Sequence, residues 1–439
     1  MTEKMTALYK EKLTTALEAV KLIEANDSIV YPITPGEPAA LHNAISQLTT
    51  LNNNTMYRML PSTPTLDFPQ EQLKQVSIFL SGADRRDFNS HKVDLLPNHF
   101  SDIPSLLLQR DDAPVIMATV SPMDENGYFS LGTSVSYVGP LLKQAKKIIL
   151  EVNENMPYTF GDLNHIHISD VDALIENNVE LTTLPEPTLS DKDLAIGQII
   201  ADMVDDTATL QIGFGSMPNA VMKFLMEKKD LGLHTEMLPD KAVELYENNI
   251  ISNQYKPSLK GKTVSTFAIG SKRLYEFMDH NPDIYMQPCD VTNSFKSISE
   301  IDNLVAINST VQVDFLGQCN SERVQDTYYS STGGQSDFTK GVRLTSAGKG
   351  IICLYSTAKK DTISTIVPFL HPGAPVTTSK NDIDTVVTEY GAAQLKGKTV
   401  FERAEALINI AHPKFRDELR EQAVAMGYIV LDKVAVGSI

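Results

Sequence analysis

"TLQIGFGSMPNAVMKFL", residues 209–225, passes from one periodicity to another. Thr209 to Ile212 reads as a strand, Gly213 and Gly215 punctuate a turn, and the pattern after Pro218 is helical. A strand that feeds a helix through a glycine turn is the repeating unit of an α/β fold. The two glycines also let backbone approach a ligand, and the free N–H groups of a helix start can face an anion. Gly213, Phe214, Gly215, Ser216 and Met217 therefore form a candidate binding turn. The motif lacks the third glycine of the dinucleotide fingerprint, and an ordinary strand-to-helix turn is the competing reading.

The same grammar extends outward in both directions. "APVIMATV" (113–120) and "KKIILEVN" (146–153) predict buried strands, and "SVSYVGPLLKQA" between them predicts a helix after Pro140. Thr15 and Glu18 suit a capping box, and Ser190 suits the cap of "DLAIGQIIADMV". "TTLPEPTLSDKD" (182–193) has two prolines and no apolar periodicity, which puts a domain boundary between residues 1–187 and 188–439. The two halves also echo each other. Asp124, Gly127 and Ser130 follow one strand, Asp314, Gly317 and Ser321 follow another, and each set precedes a strand that starts with lysine. Two unrelated turns give the same short match. A true repeat implies two domains of like fold facing each other.

Composition narrows the function. The 439 residues exceed the usual single-domain size, and an apolar content of 42% is that of a folded chain. A net charge of −17 opposes non-specific attraction to nucleic acid or anionic membranes, so any phosphate site must be built locally. Cys289, Cys319 and Cys353 give no disulfide framework and no C-x-x-C pair, as suits a reducing compartment. Charges interrupt "MTEKMTALYKEKL" where a signal peptide needs an apolar core, and no apolar run has the length to span a membrane. The expectation is a cytoplasmic protein.

Candidate chemistry gathers in the second half. In "LGLHTEMLPDKAVELYENNII" (231–251), Glu236 stands between an apolar run and a helical pattern. In "DTVVTEYGAAQLKGKT" (384–399), Glu389 repeats that arrangement at the end of a β-branched strand. "SSTGGQSDFTKG" (330–341) holds Gly333 and Gly334, which read either as a flexible turn or as backbone donors of an oxyanion hole. Lys359 and Lys360 follow a strand end; paired lysines are normally solvated, yet in an acidic chain they are candidate phosphate partners.

"GFGSMPNAV", "LGLHTEM", "VDFLGQCNSE", "GGQSDF", "VVTEYGAAQLKGKT" and "ERAEALINIAHPKFRDEL" come in an order and at spacings that resemble the acetyl-CoA hydrolase/transferase family of class I CoA-transferases. The resemblance covers nearly the whole chain and is strongest toward the branch of 4-hydroxybutyrate and butyryl-CoA:acetate CoA-transferases. It implies two similar α/β domains with largely parallel sheets and an active site at their interface. It further implies that Glu236 is a nucleophile forming acyl-glutamyl anhydride and glutamyl-CoA intermediates. By the same resemblance the amides of Met217 and Gly334 match oxyanion-hole positions, Glu389 an auxiliary glutamate, Asn293 a polar neighbour of the nucleophile, and Lys359 a CoA contact. Acyl-CoA and a short-chain acid such as acetate are then substrates, with no permanently bound cofactor and no metal, in a homodimer or homotetramer. Ser331-Thr332 departs from the family pattern of a glycine and an apolar residue before Gly-Gly.

Three other readings compete. Simple acyl-CoA hydrolysis uses the same intermediates, intercepted by water. A non-enzymatic acyl-CoA-binding protein would keep the fold but has little use for Glu236 and Glu389. His234-x-Glu236 with Pro288-Cys289 is a fragment of the zinc deaminase pattern, but Thr292 stands where that pattern needs its second cysteine, which leaves His234 a structural role.

Overall fold

The computed structural model describes residues 3–429 as a mixed α/β fold on two largely parallel sheets. The first sheet takes β1 (Ser28–Val30), β2 (Asn54–Met59), β3 (Leu73–Phe79), β4 (Val93–Leu95), β5 (Val115–Val120), β6 (Lys147–Val152) and β7 (Ala173–Glu176). They lie in the order β7-β6-β5-β1-β2-β3-β4, every neighbouring pair parallel. The second takes β8 (Thr209–Ile212), β9 (Gly232–Leu233), β10 (Leu304–Ser309), β11 (Lys349–Cys353), β12 (Thr385–Thr388) and β13 (Gly391–Gln394), in the order β9-β8-β10-β11-β12-β13. Only its last pair, a hairpin, is antiparallel. Residues 177–190 run between the two sheets without helix or strand.

Five strands of one sheet repeat five of the other, register for register. Ile29 pairs with Met56 and Val115, and Leu210 pairs with Leu233 and Val305. Val115 pairs with Lys147 and Val305 with Lys349; Ile149 pairs with Ala173 and Ile351 with Thr385. The D-x-x-G turns share one geometry as well. Gly127 and Gly317 both have φ +91°, and Asp124 and Asp314 each accept from the backbone N–H two and four residues on. That left-handed φ is why glycine stands in both.

Strand residues alternate between cores. Ile116, Ala118, Leu150, Ile351 and Cys353 join a cluster shared by both halves, whereas Val115, Met117 and Ile149 face a second cluster and Ile352 and Leu354 a third. Parallel strands covered on both faces account for the near-continuous apolar runs of the sequence. Because the largest cluster includes Val30 and Ile116 together with Ile212 and Val305, one core joins the halves.

Local expectations fare unevenly. Ser190 caps the helix Asp191–Asp202 in a full capping box with Asp193. Thr15 caps a helix of five residues, but Glu18 does not return the bond and pairs with Lys21 instead. The segment around Pro140 forms one turn, Val138–Leu141, which starts before the proline rather than after it; at the first turn the missing N–H costs nothing.

Candidate active site

Glu236 lies three residues beyond Leu233, which pairs with Leu210, and two beyond His234, whose N bonds Leu210 O at 3.0 Å. Thr235 locks the segment sideways: its hydroxyl donates to Ile212 O at 3.1 Å and accepts from Ile212 N at 3.2 Å, while its N–H reaches Val264 O. The carbonyl of Glu236 itself accepts from Thr266 N, Phe267 N and Ser265 Oγ. Behind it the fully buried Lys256 donates to Leu233 O and Lys262 O, and burial pulls that amine down to about 7. The nucleophile candidate thus stands on a backbone bonded from three sides, as a precisely aligned reaction requires.

The carboxylate points to the loop after residue 330. Asn293 Nδ2 donates to Glu236 Oε2 at 2.9 Å, and Gly334 packs against the carboxylate with its N–H favouring the ionised form. Burial pushes Glu236 up to about 8; the Asp337 carboxyl acts in the same direction, against the two donors. His234 is not a source of charge here. Its Nε2 pairs with Thr292 O at 2.8 Å, and burial drives the ring down to about 3, so it is neutral.

The first half closes over this loop. Phe100 N bonds Gly333 O at 3.1 Å, and Ser101 donates to Asp337 through its backbone at 3.1 Å and its hydroxyl at 2.9 Å. Phe79, the last residue of β3, packs beside Gly333, whose φ of +58° puts it in the left-handed region. Gly333, Gly334, Glu236 and Asn293 therefore meet at the seam of the two halves.

The glycine turn forms as the sequence predicts, with Gly215 at φ +128° preceding the helix Ser216–Lys223. Phe214 is exposed, and Gly213 passes close to Asn308 and Ile307. Met217 lies in the first turn of that helix, where backbone N–H groups lack intrahelical partners. Ser216 Oγ meets Tyr355 Oη at 3.1 Å, and Tyr355 donates to Asp193 at 2.6 Å. Glu389 hydrogen-bonds Ser356 N and Oγ at 2.9 and 2.7 Å and pairs with Lys192 at 3.5 Å, not with Glu236. Lys359 sits exposed on a hairpin tip where Lys359, Lys360 and Asp361 all have positive φ. Three successive left-handed residues without glycine are costly and mark a turn that its surroundings hold in place. The sequence reading missed Phe79, Ser101, Tyr355, Lys192 and Asp337. Asp337 lay inside the Gly-Gly loop motif, Lys192 inside the boundary stretch 182–193 and Tyr355 just ahead of the lysine pair, whereas Phe79 and Ser101 lay in no stretch singled out.

Comparison with known proteins follows this geometry. Residues 2–185 match the acetyl-CoA hydrolase/transferase N-terminal domain and residues 270–423 its C-terminal domain. The succinyl-CoA:cyclohexane-1-carboxylate CoA transferase of Geobacter metallireducens is 44% identical over 96% of this chain and 97% of its own. The 4-hydroxybutyrate coenzyme A transferase of Clostridium kluyveri is 43% identical over 94% and 98%. Among solved structures, RipA from Yersinia pestis superposes with a TM-score of 0.91 at 38% identity, covering 97% of this chain and 100% of that one. The chain belongs to the acetyl-CoA hydrolase/transferase family, a family of enzymes, as its motifs led one to expect.

Proposed function

We propose that this protein transfers coenzyme A between a short-chain acyl-CoA and a carboxylic acid such as acetate, with Glu236 as nucleophile. The observation that carries the reading is a half-buried carboxylate at the seam, held by Asn293 and packed against Gly334. Ionised Glu236 attacks the thioester carbonyl, the C–S bond breaks, and an acyl-glutamyl anhydride and CoA thiolate form. The thiolate then attacks the glutamyl carbonyl, releasing the first acid as its carboxylate and leaving glutamyl-CoA. The incoming carboxylate reverses both steps and departs as the new thioester. Each step conserves an activated acyl bond, so no redox or permanently bound group is required.

The N–H groups of Met217 and Gly334 serve as donors to the oxyanions, a contribution on the order of 3 kcal/mol each to the barrier. Glu389 and Asn293 orient the reacting groups, and the turn of Gly213, Phe214, Gly215 and Ser216 together with Lys359 receives the CoA chain. The 4-hydroxybutyrate and cyclohexane-1-carboxylate enzymes differ in acid, so the acid preference belongs to the pocket wall, where one methylene is worth about 1–3 kcal/mol.

The test is incubation with acyl-CoA alone, then borohydride or hydroxylamine and peptide mapping. A single adduct on Glu236 is expected, and an adduct on another carboxylate would falsify the assignment. CoA release at one rate with and without every acid offered favours hydrolysis instead.

A further inference from the structure

Asp337 is 1% exposed and spans the seam. One side of its carboxyl is anchored by the Ser101 N–H and hydroxyl of the first half, and the other faces the Asn293 side chain. Asn293 is itself fully buried, and its Nδ2 donates to Glu236 at 2.9 Å while its Oδ1 finds no hydrogen-bond partner among the described residues. The Asn293 amide thus bonds Glu236 through its nitrogen and neighbours Asp337, so it stands between the two carboxyls.

We propose that Asp337 is a positioning residue of the active site: tied to Ser101, it fixes through the Asn293 amide the orientation of the Glu236 carboxylate. This rests on the transferase reading of the same site. The arrangement links the nucleophile to the docking of the first half, because the anchor is Ser101 and the anchored group is on the second half. The surroundings support it. Burial pushes Asp337 up to about 7, Asp102 adds to that rise, and Ser101 and Asn293 oppose it. Glu236 faces Asp337, and the buried Cys289 thiol senses both carboxyls; burial raises that thiol so far that it stays neutral. Neutral His234 adds no charge. A negative Asp337 therefore makes Glu236 harder to ionise while holding it in line.

The test uses the full chain and compares wild type, Asp337→Asn and Ser101→Ala. The first readout needs no substrate: the titration midpoint of Glu236, followed by carboxyl ¹³C NMR and assigned by its loss in Glu236→Gln. Asp337→Asn removes the facing charge and is expected to move the midpoint down by at least about half a unit. Ser101→Ala weakens ionisation of Asp337 and is expected to move it the same way by less. In transfer assays Asp337→Asn is expected to lower kcat about 10- to 100-fold with KM for acyl-CoA within about threefold. A midpoint unmoved in Asp337→Asn, or in Ser101→Ala if the first variant does not fold, overturns the proposal, as does a loss carried by KM. Since the titration is independent of turnover, failure here is distinct from failure of the transferase reading.

Discussion

Gly334 and Glu236 stand so close that a methyl group cannot be placed between them. A Cβ on Gly334 would overlap Glu236 Oε2 and Asn293 Nδ2. The loop backbone is therefore in direct contact with the group proposed to react, and glycine is required there by space, not by φ. Gly334→Ala is expected to fold, since the nearest atoms are side-chain ends, but to lose at least about 10²-fold in kcat, the scale of one lost oxyanion donor or a misplaced nucleophile. Circular dichroism with steady-state transfer assays checks both halves of this statement. Full activity in the folded variant would refute it.

Ionisation of Glu236 sets a second expectation. With its carboxyl raised to about 8, the free enzyme holds the inactive acid form at neutral pH, so kcat/KM should climb as pH rises towards 8. Stability runs the other way. A group whose folded pKa lies above its unfolded one contributes stability present below pH 4.5 and lost as pH rises through 8. Glu236→Gln, which cannot ionise, is expected to be more stable than wild type at pH 8 by on the order of 2 kcal/mol, with the gap closing towards pH 4.5. Urea melts at the two pH values measure it; a gap independent of pH contradicts it.

Lys359 offers a test of the CoA path. Lys359→Ala should raise KM for acyl-CoA about 3- to 10-fold with little change in kcat, the signature of uniform binding. Added salt should weaken the wild type more than the variant, because the screened charge pair is gone. Identical salt slopes would return Lys359 to the solvated surface.

In the first half, Arg58 and Glu37 form a buried ion pair at 3.6 Å, with side chains 3% and 2% exposed. Arg58 also donates to Thr63 O, Thr63 Oγ1 and Pro64 O. Arg58→Met would strand the carboxylate and those acceptors, and a loss of about 3–5 kcal/mol is expected in chemical denaturation at pH 7. A change below about 1 kcal/mol would mean that the Ser62 and Thr63 donors to Glu37 suffice alone.

Much of this was legible because parallel strands and glycine turns leave local marks. The runs at 113–120 and 146–153 became β5 and β6, and Gly213 and Gly215 turned the chain where they should. The paired D-x-x-G turns left a repeat and two unrelated turns equally open, and the matching sheet registers favour the repeat. Glu236, Asn293, Gly333 and Gly334 came together, whereas Glu389 joined Lys192 and Ser356 instead. Ser101 and Phe79 left no mark, since their importance arises only when the halves meet, more than two hundred residues apart in sequence. One helical turn at Pro140 was misjudged because a proline in a first turn reads from sequence as a start, not an interior position.

The matching registers point to a counterpart of Glu236 in the first half. Met56 stands where Leu233 stands, and three residues on, past an irregularity between Arg58 and Met59, Met59 takes the place of Glu236. One half holds a carboxylate at this place and the other a thioether, which has no proton to lose and carries no negative charge. The twin has become a wall, and a wall is free to change. Under the proposed reading Phe79, which packs beside Gly333, is one such wall residue, so the choice of acid and the exchange itself fall to different halves of a single chain.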